Sequence, residues 1–136
     1  MKHLAFSLGT FLCATAAFAQ LSVKVSAPKV VGQKAIVSLV MKNSFSENVD
    51  SARAVVLLMN EQGKMVGQAA KWVIGGDGKF PGLRAGATNI FNFVISAPKP
   101  FTTTNLTARV QFNRVVMEGG KLADVTKAVE IETKNP

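Results

Sequence analysis

From residue 21 onward, apolar and polar side chains alternate with a period of two along almost the whole chain, the spacing of strands that bury one face. In LSVKVS, Leu21, Val23 and Val25 fall on one side and Ser22, Lys24 and Ser26 on the other, until Pro28 ends pairing because it has no N–H to donate. KAIVSLVMKN sends Ala35, Val37, Leu39 and Met41 inward, with Lys34, Ser38 and Lys42 outward. ARAVVLLMN is apolar on both faces, as a central strand is, and Ala54, Val56 and Leu58 are its expected core side. Glu61-Gln62-Gly63 then supplies a three-residue hairpin loop with glycine where a left-handed residue is wanted, so MVGQAAKWVI should return antiparallel.

TNIFNFVIS aims Phe91, Phe93 and Ile95 at one face, and LTARVQFN does so with Leu106, Ala108, Val110 and Phe112. Gly119-Gly120 signals a second hairpin, and ADVTKAVEIET a last strand with Val125, Val129 and Ile131 inward. Seven strands with turn signals at short intervals predict an all-β, immunoglobulin-like two-sheet β-sandwich. The expected core runs through Val37, Leu39, Val56, Leu58, Phe91, Phe93, Val110 and Phe112.

Residues 1–19 break the alternation. Lys2, an apolar run from Leu4 to Phe18 and the small-x-small end Ala17-Phe18-Ala19 have the pattern of a secretory signal peptide, which places the mature start at Gln20 and the sandwich domain at 20–136. Cys13 follows Leu12 inside the apolar run, where a lipoprotein signal would place a small residue before the cysteine, so no lipid anchor is expected. No later run reaches the roughly 18 to 20 apolar residues that span a bilayer. The expectation is a secreted or periplasmic domain of 117 residues, the 136 of the chain less the first 19, large enough for one core.

Cleavage there removes His3 and Cys13, the only histidine and the only cysteine. Without them, Ser-His-Asp and Cys-His nucleophilic sites and zinc sites built on histidine or thiolate are excluded, and no cofactor or metal is expected. Glu130 and Glu132 share a strand face beside Lys127 and Lys134, which is the ordinary pattern of solvated acids; no catalytic residue is assigned. Met59 and Met65, opposite each other across the hairpin, are expected to pack between strands, since thioethers fill irregular apolar gaps. The repeated VSAPK and ISAPK, at Val25 to Lys29 and Ile95 to Lys99, have the Ser-x-x-Lys spacing of penicillin-recognising enzymes, but each follows a strand and reads as a turn. Asn105-Leu106-Thr107 fits the N-glycosylation pattern, yet the leader is bacterial in character and no sugar is expected.

IGGDGKFPG, Ile74 to Gly82, invites a phosphate-loop reading that its spacing refuses. A Walker loop ending at Gly78-Lys79 needs glycine at 73 and Ser or Thr at 80, where Val73 and Phe80 stand; a dinucleotide loop from Gly76 needs its third glycine where Pro81 sits. Both also need a following helix, and NIFNFV is a strand. The stretch is a loop between strands. It gathers Lys79, Phe80, Leu83 and Arg84 beside the strand that carries Trp72, and these five are the candidate partner contacts, because aromatic and arginine side chains dominate interface hot spots. The alternative is that Phe80 and Leu83 fold inward as a lid on the end of the sandwich.

APKVVGQKAIVSLVMKNS, ARAVVLLMNEQGKMVGQ and LRAGATNIFNF together resemble the bacterial immunoglobulin-like modules typified by FxLYD and CARDB domains. Where FxLYD modules carry an aromatic, a leucine, a tyrosine and an aspartate before a glycine hairpin, this chain has Val56, Leu58, Met59 and Asn60. The resemblance implies an extracytoplasmic sandwich without catalytic apparatus. The function expected is thus an exported, non-catalytic module that binds a protein or cell-envelope component. The other reading is an envelope polyanion binder: after Lys2 leaves with the leader, 15 basic residues face 8 acids, a net charge of +7. Those lysines are scattered singly, so no nucleic acid is expected as partner.

Overall fold

The computed structural model describes residues 20–75 and 82–133. The expected leader, and with it Lys79 and Phe80 of the glycine-rich loop and Lys134, lie outside the described residues. Among the described residues eight strands form two sheets: β1 (Leu21–Val25), β2 (Lys29–Val31), β3 (Lys34–Asn43), β4 (Val49–Met59), β5 (Met65–Ile74), β6 (Thr88–Ser96), β7 (Thr107–Met117) and β8 (Val129–Thr133). The first sheet is built on β3, which pairs antiparallel with β6 on one side and with β1 and then β2 on the other, while β8 runs parallel to β1 at the edge. The second sheet is β5-β4-β7, all antiparallel. This is the immunoglobulin-like sandwich the alternation predicts, with the last strand added beside the first.

Period two fixes the layers. Leu21, Val23 and Val25 of β1, Ala35 to Met41 at every second position of β3, Ala54, Val56 and Leu58 of β4, and Phe93 and Ile95 of β6 meet between the sheets with Val110 and Phe112 of β7. Seven of the eight expected core residues are buried; Phe91 is half-buried and packs against the core. β4 carries Val55, Leu57 and Met59 on its outer face as well and is the central strand of its sheet. Its hairpin to β5 closes as expected, with Met59 opposite Met65, and Gly63 at φ 78° supplies the left-handed residue. Asn60 Oδ1 accepts from the N–H groups of Gln62 and Lys64 at 3.0 and 2.9 Å, which fixes that turn. Met65 is nevertheless 49% exposed, so little of it packs.

Two local expectations are corrected and a third is met only in part. Pro28 stops β1 as expected, but the chain re-forms a short strand, β2, along the same side of β3; three residues are too few to show a period. Gly119 and Gly120, at φ 78° and 82°, do form the expected hairpin, closed by the antiparallel bridge of Val116 to Leu122, but its return arm ends at that bridge. Instead Asp124 accepts from Thr126 N–H at 3.0 Å and caps a single helical turn, α1 (Val125–Ala128), so Val125 belongs to that turn and β8 begins at Val129. The cap hydrogen bond outweighs alternation in a segment whose residues before Val129 have no strand to pair with.

One sheet edge is guarded by a lysine. β6 has a free side facing β5, and Lys71 of β5 reaches across to donate to the Asn92 carbonyl at 2.6 Å, with its ammonium 4.9 Å from the centre of the Phe93 ring. A lysine placed on an exposed edge discourages addition of a foreign strand.

Candidate functional site

The connections β3–β4, β5–β6 and β7–β8 all emerge at one end of the sandwich, because those three strand pairs start and finish there; in immunoglobulin variable domains loops clustered at one end carry recognition. Two asparagines stitch the three loops together. Asn43, the last residue of β3, is fully buried and donates through Nδ2 to the carbonyls of Leu83 (2.8 Å) and Glu47 (3.0 Å), while its Oδ1 accepts from Phe45 N–H (2.8 Å). Its backbone adds two bonds to the β5–β6 connection, from Asn43 N–H to Ala87 O and from Gly86 N–H to Asn43 O. Asn48 does the same one loop further: its Oδ1 accepts from Ala85 N–H at 2.9 Å, and its N–H donates to Glu118 Oε1 at 2.8 Å.

Local chemistry explains why the chain folds this way. Asparagine at a strand end bonds to the N–H two residues on and so turns the chain, as Asn43 does with Phe45. Gly75 ends β5 at φ 69°, where an added Cβ would lie 2.7 Å from the Asp50 carbonyl, so the start of β4 and the end of β5 pass at a distance only glycine allows.

Beside these loops lies a hollow of about 790 Å³, lined by Phe45, Ser46 and Glu47, by Met117, Lys121 and Leu122, and by the α1 turn. Gln20 forms part of its wall and is held by its N–H to Ala128 O and by its own carbonyl to Ser44 N–H. Leu122 is 65% exposed at the rim, and Lys121 pairs with Glu47 at 2.8 Å, the ion pair among the described residues. The lining is mixed, apolar with a few polar groups, the make-up common to ligand-binding hollows. Among the described residues no group of three or more His, Cys, Asp or Glu side chains comes together to hold a metal. Glu130 and Glu132 are exposed on β8, opposite Ser22 and Lys24 of β1.

Of the five residues singled out from sequence, Lys79 and Phe80 lie outside the described residues, and the other three are not brought to one place. Arg84 is exposed at the loop end. Leu83 is 2% exposed and bridges to Val49 through reciprocal 2.9 Å backbone bonds, so its side chain belongs to the core and is withdrawn from any contact surface. Trp72 is half-buried on the outer face of the β5-β4-β7 sheet, beside Arg53, Asn113 and Arg114, and does not line the loop-end hollow. Asn43 and Asn48 were missed; asparagine directly after or before a strand was the available signal.

No protein-family model matches the sequence, and no curated protein matches it. Among solved structures the chain is similar to the putative ApaA protein from Bordetella pertussis, with 19% identity over 76% of this chain and 84% of that one and a TM-score of 0.52. It is also similar to IrmA from Escherichia coli, with 9% identity over 88% and 96% of the two chains and a TM-score of 0.54. The seventh ScaB type I cohesin from Pseudobacteroides cellulosolvens follows at a TM-score of 0.46, with 10% identity over 87% and 90%. At these identities the likeness is one of fold: the chain is a small two-sheet β-sandwich. Among the described residues no helix is long and apolar enough to cross a membrane.

Proposed function

We propose that this protein is an exported, non-catalytic interaction module that holds a protein or cell-envelope partner against the loop end of its sandwich. The observation that carries the reading is the stitching of three loops by Asn43 and Asn48 beside a hollow of about 790 Å³, since recognition loops need a scaffold that holds them in place before the partner arrives. Export rests on the leader-like residues 1–19, and the absence of catalytic chemistry rests on a mature chain without histidine or cysteine. The resemblance to FxLYD and CARDB-type modules supports the same class. Lys79 and Phe80 enter the proposal on sequence grounds, as neighbours of exposed Arg84.

Photo-crosslinking amino acids at Ser46, Leu122 and Arg84 test it in living cells, with Lys99, which lines a hollow at the opposite end, as the comparison. The same adduct is expected from the three loop-end positions and none from Lys99; capture from Lys99 alone overturns the loop-end reading. The mass of the exported chain checks the start at Gln20. Loop-end capture that weakens steeply with added salt would instead favour the polyanion reading for that end, because screening acts most on exposed charges.

A further inference from the structure

The outer face of the β5-β4-β7 sheet carries a second feature that the loop-end reading leaves unused. Arg53 of central β4 lies directly opposite Trp72 of β5 on one side and Arg114 of β7 on the other. The pairing register shifts on both sides at this level, between Ala52 and Arg53 against β5 and between Arg53 and Ala54 against β7. The β7 bulge turns two successive residues, Asn113 and Arg114, to the surface between buried Phe112 and Val115, and the β5 bulge turns Val73 and Ile74 inward next to Trp72. Bulges re-aim side chains, and two converging on one arginine build a small hollow of about 350 Å³ lined by Arg53, Trp72, Asn113 and Arg114.

The charge at this face is unbalanced. Three of the four arginines of the chain, Arg53, Arg109 and Arg114, lie on β4 and β7. β5 and β7 contain no acidic residue, and β4 has only Asp50 at its start. Among the described residues no carboxylate pairs with any of the three arginines. Like charges directly opposite on one sheet face destabilise it, so folding gives no reason to set Arg53 against Arg114. An anionic ligand would, since two guanidinium forks take carboxylates in paired hydrogen bonds.

We infer that this face binds an acidic polysaccharide, a chain of uronate sugars, with carboxylates on Arg53 and Arg114, a sugar ring against the Trp72 indole and hydroxyls on Asn113. The row continues along β7 through Gln111 to Arg109, roughly 15 Å at the rise of a strand, which suits a polymer better than a single sugar. An acidic peptide fits less well: the free edges of this sheet belong to β5 and β7, and a ligand lying on the face across Arg53 meets side chains only, without the backbone pairing that usually gives an extended peptide its affinity. The inference does not depend on the loop end.

Trp72 is the only tryptophan of the chain, so its emission reports on this site alone. Oligogalacturonate should change that emission saturably, and its methyl ester, the same chain without charge, should not. Arg53→Ala and Arg114→Ala should each weaken binding about tenfold or more, the loss of one bidentate pair, and Arg114→Lys should fall between. Arg114 is exposed, so its variants keep the core, and unchanged circular dichroism checks them all. Arg84→Ala, at the loop end, should bind oligogalacturonate as the parent does. Emission that does not respond, equal binding by the methyl ester, retained affinity in Arg114→Ala, or an equal Trp72 response to poly-glutamate would each overturn the assignment. Loss of loop-end crosslinks leaves it standing.

Discussion

Replacing Asn43 tests the wiring of the loop end. Alanine there removes three side-chain hydrogen bonds, to Leu83 O, Glu47 O and Phe45 N–H, from a fully buried position. At about 1 kcal/mol for each net bond the loss comes to about 3 kcal/mol, with the Leu83 carbonyl still served by Val49 N–H. That is a large share of the roughly 5 to 15 kcal/mol that holds a domain together. Aspartate is the sharper probe because it keeps the shape and the acceptor for Phe45 but puts a carboxylate oxygen where Nδ2 now faces two carbonyl oxygens at 2.8 and 3.0 Å. Burial and those oxygens disfavour its charged form, so its acidity in the folded state falls and its pKa rises above the unfolded value of about 3.9. The unfolded state then binds fewer protons than the folded one near neutrality, and the deficit of Asn43→Asp against the parent should be greatest at pH 7 and shrink as pH falls toward 4, where the protonated acid can donate to one carbonyl. Urea denaturation of parent, Asn43→Ala and Asn43→Asp at pH 7 and pH 4.5 measures this. An alanine variant within about 1 kcal/mol of the parent, or an aspartate deficit that grows on acidification, refutes the account of Asn43 as the tie between loops.

Phe93→Ala should cost about 3 to 5 kcal/mol, as truncation of a packed aromatic does, whereas Asn92→Ala on the exposed face of the same strand should cost well under about 1 kcal/mol; equal values in chemical denaturation would contradict the β6 register. Breaking the exposed Lys121–Glu47 pair with Lys121→Met should change stability by less than about 1 kcal/mol, and a double-mutant cycle giving more would mean that the pair braces the hollow. If residues 1–19 are removed as proposed, no cysteine remains and dithiothreitol should leave the melting temperature unchanged; a shift would mean that Cys13 is retained.

The sequence alone determined the layers. Period-two alternation places Val37, Leu39, Val56, Leu58 and Phe93 between two sheets because a strand's side chains must point to opposite faces, and no distant contact can change that parity. It also located the Asn60–Lys64 turn, since a left-handed glycine and an asparagine that bonds its own backbone act within five residues. Composition places the single histidine, His3, and the single cysteine, Cys13, in the leader-like segment, so residues 20–136 offer neither imidazole nor thiolate, which no fold can supply. What tertiary structure decided is which strands are neighbours, and with that which exposed residues meet. Trp72, Arg53 and Arg114 lie on three strands separated by up to 61 positions in the chain, and only the β5-β4-β7 order, with a bulge on each side of Arg53, sets them in one row. Asn43 and Leu83 are 40 positions apart, and only the closure of the loop end makes one the hydrogen-bond donor of the other. Leu83 looked like a loop residue because its immediate neighbours are Gly82 and Arg84; it is buried because Val49, on a different strand, lies opposite it. Alternation reports which face a side chain takes, and pairing between distant strands decides what that face is made of.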